Sequence, residues 1–170
     1  MKIFHTINGF RNNLSVDRCQ GLRIGLVPTM GNLHDGHLAL LEQSKQTNDI
    51  TVCSIFVNAL QFNLNEDWDK YPRTYDTDCE KLRNAGCDYL FHPDETEMYP
   101  NGLDTQSRVI CPTMTDDLCG ASRPGHFEGV LDVMDKLTNI VMPTKIFMGN
   151  KDFQQTFLVK NYLKNKYNID

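Results

Sequence analysis

The feature that most constrains the fold is an apolar run at residues 24–27 that leads directly into a loop containing glycine. A short apolar run bounded by turn residues predicts a buried strand. We expect this strand to end at Pro28, because proline cannot donate a hydrogen bond to a ladder. Gly31 then permits a turn that brings the backbone close to a ligand.

A helix is predicted at residues 36–47, with Asn32 or Asp35 as its N-cap. His34 and His37 are three residues apart where this helix begins, so they share one face of its first turn. Backbone N–H groups and the helix dipole favour an anion such as phosphate there. Two alternatives stay open: surface or capping histidines, and a zinc pair, for which no nearby side chains complete a tetrahedral set.

Strands and helices alternate along the rest of the chain. Further strands are predicted at 50–57, 89–91, 106–111 and 145–148, and further helices at 74–85, at 126–141 and from about residue 151. Repeated strand–helix units indicate an α/β domain with a parallel sheet covered by helices. Ligands of such sheets bind outside the carboxyl ends of the strands.

Composition narrows the class of protein. A chain of 170 residues suits one domain, and its net charge of −5 without a basic block argues against a nucleic-acid partner. No apolar run is long enough to span a membrane, and the first five residues do not resemble a signal peptide. We expect a cytoplasmic protein whose six cysteines are reduced, with Cys53 packed as a small hydrophobic residue.

Two further segments carry side chains suited to a small acidic ligand. Asn58 and Gln61 follow the strand at 50–57, and their amides suit a hydroxy acid, although bonding to local backbone is the alternative. Arg123, within residues 120–127, could hold a carboxylate or phosphate in bidentate fashion. Its alternative is a solvated arginine in a capped turn.

A third segment places Lys151 and Asp152 after Gly149 and Asn150 at a predicted helix start. A lysine there opposes the helix dipole, which is uncommon unless an anion is nearby. Lys151 would neutralise charge on a transferring phosphoryl group, and Asp152 could hold Mg²⁺. The alternative is an exposed lysine–aspartate pair at a helix end.

Together these segments resemble the pantothenate synthetase family, the pantoate–β-alanine ligases. The similarity runs from about residue 22 to residue 155, through segments 27–37, 54–58, 71–74, 120–127 and 151–155. It implies a doubly wound Rossmann-like sheet of the HIGH-motif nucleotidylyltransferase type, with helices on both faces. The His-x-Gly-His element is shared with that wider superfamily and with class I aminoacyl-tRNA synthetases, so alone it indicates only adenylate chemistry.

The resemblance implies a two-step reaction. Pantoate reacts with ATP to give pantoyl adenylate and pyrophosphate, and β-alanine then displaces AMP to give pantothenate. Mg²⁺ is required in the family, and a homodimer is implied. Neither nucleic acid nor membrane is an expected partner.

The resemblance also implies site residues. The expected ATP-binding residues are Pro28, Thr29, Met30, Gly31, His34, His37, Gly149, Asn150, Lys151 and Asp152. The expected pantoate-binding residues are Met30, Gln61 and Gln155, to which the bidentate geometry of arginine adds Arg123. His34, His37 and Lys151 are the expected catalytic residues, and Asp152 is the expected Mg²⁺ ligand.

The chain departs from the family pattern at three positions and in length. Ala59 stands where proline usually follows Val-Asn, Asn150 where glutamate or glutamine is usual, and Glu128 where arginine is frequent. Ala59 would loosen the loop that carries Gln61. Family members have a further C-terminal lid domain, so residues 1–170 are expected to form the nucleotide- and pantoate-binding domain, with weak ATP binding and little turnover alone. The competing functions are a related nucleotidyltransferase and a non-catalytic binding or dimerisation module.

Overall fold

A computed structural model describes residues 1–62, 68–103, 115 and 117–169. One sheet contains the five described strands, which are β1 (Lys2–Phe4), β2 (Ile24–Thr29), β3 (Ile50–Ile55), β4 (Tyr89–Phe91) and β5 (Lys145–Ile146). Their order across the sheet is β1-β4-β3-β2-β5, and every neighbouring pair is parallel. The predicted parallel α/β sheet is confirmed. The strand predicted at 106–111 lies outside the described residues.

Seven helices accompany the sheet in the described ranges. They are α1 (Ile7–Cys19), α2 (Asp35–Thr47), α3 (Tyr75–Asn84), α4 (Glu95–Met98), α5 (Cys119–Ser122), α6 (His126–Val141) and α7 (Phe153–Tyr167), with 3₁₀ turns at Ala59–Gln61 and Asn150–Asp152. The predicted α2 and α3 are confirmed to within one residue at each end, and α6 coincides with its prediction. None of these helices has the length and apolarity needed to cross a membrane.

Buried side chains form two hydrophobic clusters, one on each face of the sheet. On one face α1, α6 and α7 pack against the strands, through residues that include Phe10, Leu14, Leu26, Val52, Leu131 and Val159. On the other face α2 and α3 do so, through residues that include Val27, Leu41, Cys53, Cys79 and Leu82. Successive strand residues point to opposite faces, which explains why neighbours such as Leu26 and Val27 belong to different clusters. The doubly wound arrangement is therefore confirmed.

The prediction that β2 ends at Pro28 is wrong, because the strand continues to Thr29 in register with β3. Leu26 O accepts from Phe147 N on the β5 side, and Thr29 O accepts from Phe56 N on the β3 side. Alternation along the strand therefore turns the Pro28 nitrogen towards the β5 side. The pairing of β5 with β2 ends at Ile146, opposite Leu26, so the missing N–H of Pro28 costs no hydrogen bond of the sheet.

The five described cysteines are free thiols in the structure, and the reduced state of all six stays a prediction. Cys53, Cys79 and Cys87 are buried, whereas Cys19 and Cys119 are exposed. Burial raises the pKa of the Cys87 thiol to about 12 and that of Cys53 well above its usual value. The thiolate is the reactive form of cysteine, so the buried thiols should be much less reactive than the exposed ones.

We expect iodoacetamide to alkylate Cys19 and Cys119 in the native protein, and Cys53 and Cys87 only after unfolding. Peptide mass spectrometry of native and urea-treated samples measures this difference, with the urea sample as the control for complete labelling. Native labelling of Cys87 as fast as that of Cys19 would contradict the difference in burial between these thiols.

Candidate active site

A cleft of about 400 Å³ opens beside the carboxyl end of β2. Most of the predicted site residues line it, namely Pro28, Thr29, Met30, His34, His37, Gln61, Gly149, Lys151, Asp152 and Gln155. Its remaining wall is largely apolar and includes Leu40, Phe56, Val130, Val133, Met134, Leu137 and Met148. We call this space the histidine cleft. Segments distant in sequence therefore meet at the sheet edge where parallel sheets bind ligands.

The N-cap of α2 is His34, so the prediction of Asn32 or Asp35 in that role is wrong. Its backbone is extended, and its Nδ1 accepts from Gly36 N at 3.1 Å. Nδ1 of His37 accepts in turn from His34 N at 3.3 Å, which completes a capping box. An imidazole nitrogen here supplies the acceptor that a serine or aspartate oxygen usually provides.

These caps fix the tautomer of both histidines. A backbone N–H can only donate, so each Nδ1 is unprotonated and each ring proton lies on Nε2. The ring centroids are 4.1 Å apart, and both rings line the histidine cleft. Capping and ligand binding are therefore compatible, because each ring caps the helix with one nitrogen and keeps an N–H donor on the other.

The pKa of His37 lies below its usual value. Partial burial is the main cause, and the nearby His34 adds to it, while Asp78 acts in the opposite direction. His37 is consequently neutral at physiological pH, which preserves Nδ1 as an acceptor.

We expect the His37 ring to titrate below pH 6.5 in an NMR titration, with a midpoint that rises towards this value in His34→Ala. The rise follows because this substitution removes the electrostatic effect of His34, which lowers the pKa of His37. His5→Ala is the control, since this exposed ring contacts His92 instead. A His37 midpoint unmoved by His34→Ala would contradict the predicted coupling.

Asp78 of α3 holds the loop that connects β2 to α2. Its buried carboxylate accepts from Asn32 N at 2.9 Å and from Leu33 N at 2.8 Å. It also accepts from Thr74 Oγ1 at 3.0 Å. Gly31 has φ +83°, and a Cβ there would lie 3.1 Å from Asp78 Oδ2, so the glycine is needed for the turn and for this approach.

Gln61 reaches the histidine cleft at the end of its 3₁₀ turn, where its Nε2 contacts Met30 Sδ at 2.7 Å. Asn58 instead is fully buried. Its Nδ2 donates to Gly129 O at 2.9 Å, and its Oδ1 accepts from Leu60 N. Of the two interpretations of this pair, Asn58 fits local bonding, and contact of Gln61 with a ligand stays a prediction.

Of the expected ATP- and pantoate-binding residues, Gly31, Asn150 and Arg123 do not line the histidine cleft. The guanidinium of Arg123 lies 2.9 Å from His126 Nε2, so it contacts a protein group. Gly31 lies on a second, larger cavity of about 700 Å³. That cavity is lined by His5, His92 and Arg73 but by neither His34 nor His37. The roles predicted for Gly31, Asn150 and Arg123 stay predictions.

Lys151 and Asp152 are exposed in the 3₁₀ turn that precedes α7, at the rim of the histidine cleft. Within the described residues, no group of three or more His, Cys, Asp or Glu is placed to hold a metal ion. The zinc alternative therefore lacks a ligand set in that part of the chain. A single carboxylate does suit Mg²⁺, which is commonly bound by one or two carboxylates together with substrate phosphates.

Three residues at the site were not individual candidates from the sequence. Asp78 lies within a predicted helix, where an aspartate is typical of an exposed face, and His126 lies within a segment in which Arg123 was the candidate. Tyr71 lines the cleft and packs edge-on against Phe62. The signal that could have found Tyr71 and His126 was the resemblance at 71–74 and 120–127, which assigned neither of them a role.

The fold and the histidine cleft define a class: a Rossmann-like α/β domain with a cleft at a helix N-terminus beside the sheet edge. A family model described as pantoate–β-alanine ligase matches residues 2–169. The chain belongs to this family.

Relatives and solved structures agree with this assignment. The chain is 57% identical over 164 residues to the pantothenate synthetases of Saccharophagus degradans and Cellvibrio japonicus, covering 96% of this chain and 58% of each relative. The pantothenate synthetase structure from Thermus thermophilus superposes with a TM-score of 0.92 at 40% identity, covering 100% of this chain and 60% of that one. The pantoate–β-alanine ligase of Francisella tularensis, complexed with β-γ ATP and β-alanine, gives 0.89 at 39% identity, covering 98% and 63%.

Proposed function

We propose that this chain carries the ATP and pantoate sites of an ATP-dependent pantoate–β-alanine ligase. The chain spans about 58% of the length of the curated relatives named above, so the activity of the whole protein is part of the proposal. The observation that carries it is the histidine cleft, which unites two imidazole donors, Lys151, Gln61 and Gln155. These groups suit an anion at one end and a hydroxy acid at the other.

The proposed reaction has two steps. A carboxylate oxygen of pantoate attacks the α-phosphorus of ATP, and the bond to the pyrophosphate oxygen breaks. The amine of β-alanine then attacks the acyl carbon, loses a proton and displaces AMP, which gives pantothenate. The attacking carboxylate is already an anion, so the first step needs no strong base.

The difficulty of the first step is electrostatic, because a carboxylate must approach a triphosphate. Nε2–H groups of His34 and His37 and the ammonium of Lys151 are proposed to donate to the phosphate oxygens. Loss of one such donor typically lowers the rate by about 10²–10³-fold. Asp152 would hold Mg²⁺, which supplies further neutralisation of the phosphate charge when bound.

The apolar wall of the cleft supports pantoate as the acid. Pantoate carries two methyl groups on one carbon beside its hydroxyls, and this shape pairs an apolar face with polar groups. Met30, Val133 and Met134 line the cleft with Gln61 and Gln155, so both kinds of contact are present. By excluding water, this wall would also protect a pantoyl adenylate from hydrolysis.

Two properties of the protein as a whole are included in the proposal. Membership of the pantoate–β-alanine ligase family supports a homodimer and a cytoplasmic location. Size-exclusion chromatography with light scattering tests the dimer, and a monomer at every concentration would contradict it.

Pantoate-dependent exchange of labelled pyrophosphate into ATP tests the proposed function directly. We expect exchange with pantoate and Mg²⁺ and none with pantoate omitted. Gln61→Ala should raise the pantoate concentration needed for half-maximal exchange by roughly tenfold, because one polar contact to pantoate is lost. ATP binding should be retained. Gln46→Ala, on the exposed side of α2, is the matched control.

Other outcomes favour the competing functions. Binding of ATP and pantoate without exchange would indicate a non-catalytic binding module. Exchange that is independent of pantoate and unaffected by Gln61→Ala would indicate a different nucleotidyltransferase.

A further inference from the structure

We propose that His126 is a positioning residue that fixes Gln61 in the histidine cleft, and that Arg123 holds its imidazole in the required tautomer. The inference rests on the proposed function, in which Gln61 binds pantoate. It concerns the contact between the first turn of α6 and the 3₁₀ turn that carries Gln61. Neither residue needs to contact the substrate for this role.

The hydrogen bonds at His126 define its protonation. His126 is only 6% exposed, its Nδ1 lies 2.6 Å from the backbone oxygen of Gln61, and its Nε2 lies 2.9 Å from Arg123 Nη1. A guanidinium only donates, so Nε2 must accept and the ring proton lies on Nδ1. This N–H therefore donates to the Gln61 carbonyl.

Two further contacts join α6 to the same turn. A Cβ on Gly129 would lie 2.2 Å from Leu60 O, so glycine is required for the helix backbone to approach the turn. Asn58 Nδ2 donates to Gly129 O from the start of the turn. These contacts hold a turn that contains no proline of its own, so α6 supplies a restraint that the local sequence lacks.

Displacement of the Gln61 carbonyl would be transmitted to its side chain, which contacts Met30 across the cleft. If the imidazole were removed, the Gln61 oxygen would lose this donor at a buried position. The turn would then relax, and the amide would leave the pantoate end of the cleft. The contacts of α6 with this turn involve neither α2 nor Lys151, which form the proposed phosphate end of the cleft.

His126→Leu and His126→Asn form a matched pair for the test. Leucine removes the donor at similar size, whereas the asparagine amide places an N–H close to the position of Nδ1. The measurements are the dissociation constants of pantoate and of ATP by calorimetry, and the methyl resonance of ¹³C-labelled Met30, assigned with Met30→Leu. We expect His126→Leu to weaken pantoate binding by roughly tenfold, leave ATP binding unchanged and shift the Met30 resonance. His126→Asn should restore most of both losses.

The outcomes separate this inference from the function on which it rests. A wild-type Met30 resonance and pantoate affinity in His126→Leu would overturn it, as would equal losses of pantoate and ATP affinity. If the wild-type protein binds no pantoate, the proposed function fails, and the Met30 resonance alone decides whether His126 positions Gln61. If His126→Leu does not fold, Arg123→Met provides the test through the Met30 resonance, since it removes the group that fixes the tautomer.

Discussion

His37→Asn is expected to lower pantoate-dependent pyrophosphate exchange by about 10²–10³-fold, the typical cost of removing one donor to a transition-state charge. The asparagine oxygen lies near the position of Nδ1, so it can still accept from His34 N and keep the capping box. What it removes is the Nε2–H donor in the histidine cleft. The variant therefore separates the chemical role of the ring from its role in capping.

Two further variants test whether the lost Nε2–H donor causes the expected decrease in exchange. His37→Gln places an N–H near the position of Nε2, so it should retain much more exchange than His37→Asn. His5→Asn changes an exposed histidine outside the cleft and should leave exchange unchanged. Exchange at the wild-type rate in His37→Asn, or equal losses in the asparagine and glutamine variants, would show that the Nε2 donor does not act in this step.

The elements that sequence predicted best are those whose apolar pattern is long and clearly bounded. Helix α6 has sixteen residues, strong apolar periodicity and Pro143 beyond its end, and its bounds coincide with the prediction. Strand β1 and helix α1 were not predicted. The strand has three residues, and α1 buries only Phe10 and Leu14, so neither carries enough signal to stand out.

The site could be predicted as a set of segments but not as a set of contacts. Asp78 bonds to a backbone N–H 45 residues earlier, and His126 to a carbonyl 65 residues earlier, and no local pattern reports such pairings. The cap of α2 was assigned to Asn32 or Asp35, with capping histidines only as an alternative, because histidine is not among the preferred N-cap residues. Likewise, Pro28 can lie inside β2 because β5 stops pairing before it, and the local sequence around Pro28 does not report where a neighbouring strand ends.

Asp78→Ala is expected to lower the free energy of unfolding by about 3 kcal/mol, since each buried polar group left without its partner costs about 1–3 kcal/mol. The groups affected are Asn32 N, Leu33 N and the Thr74 hydroxyl. Relief from burying a carboxylate offsets part of this cost, which is why the expected loss is smaller than the sum of three bonds. Urea denaturation measures the change.

Asp76→Ala and Asp78→Asn are the matched comparisons. Asp76 is exposed in the first turn of the same helix, so its removal should cost under about 1 kcal/mol. Asparagine keeps one acceptor, so Asp78→Asn should fall between the two alanine variants. Because the charge of Asp78 raises the pKa of His37, both Asp78 variants should also lower the His37 midpoint further. A stable Asp78→Ala protein with an unmoved His37 midpoint would mean that the loop before α2 holds its shape without this carboxylate, and that Asp78 is not what presents the two histidines to the cleft.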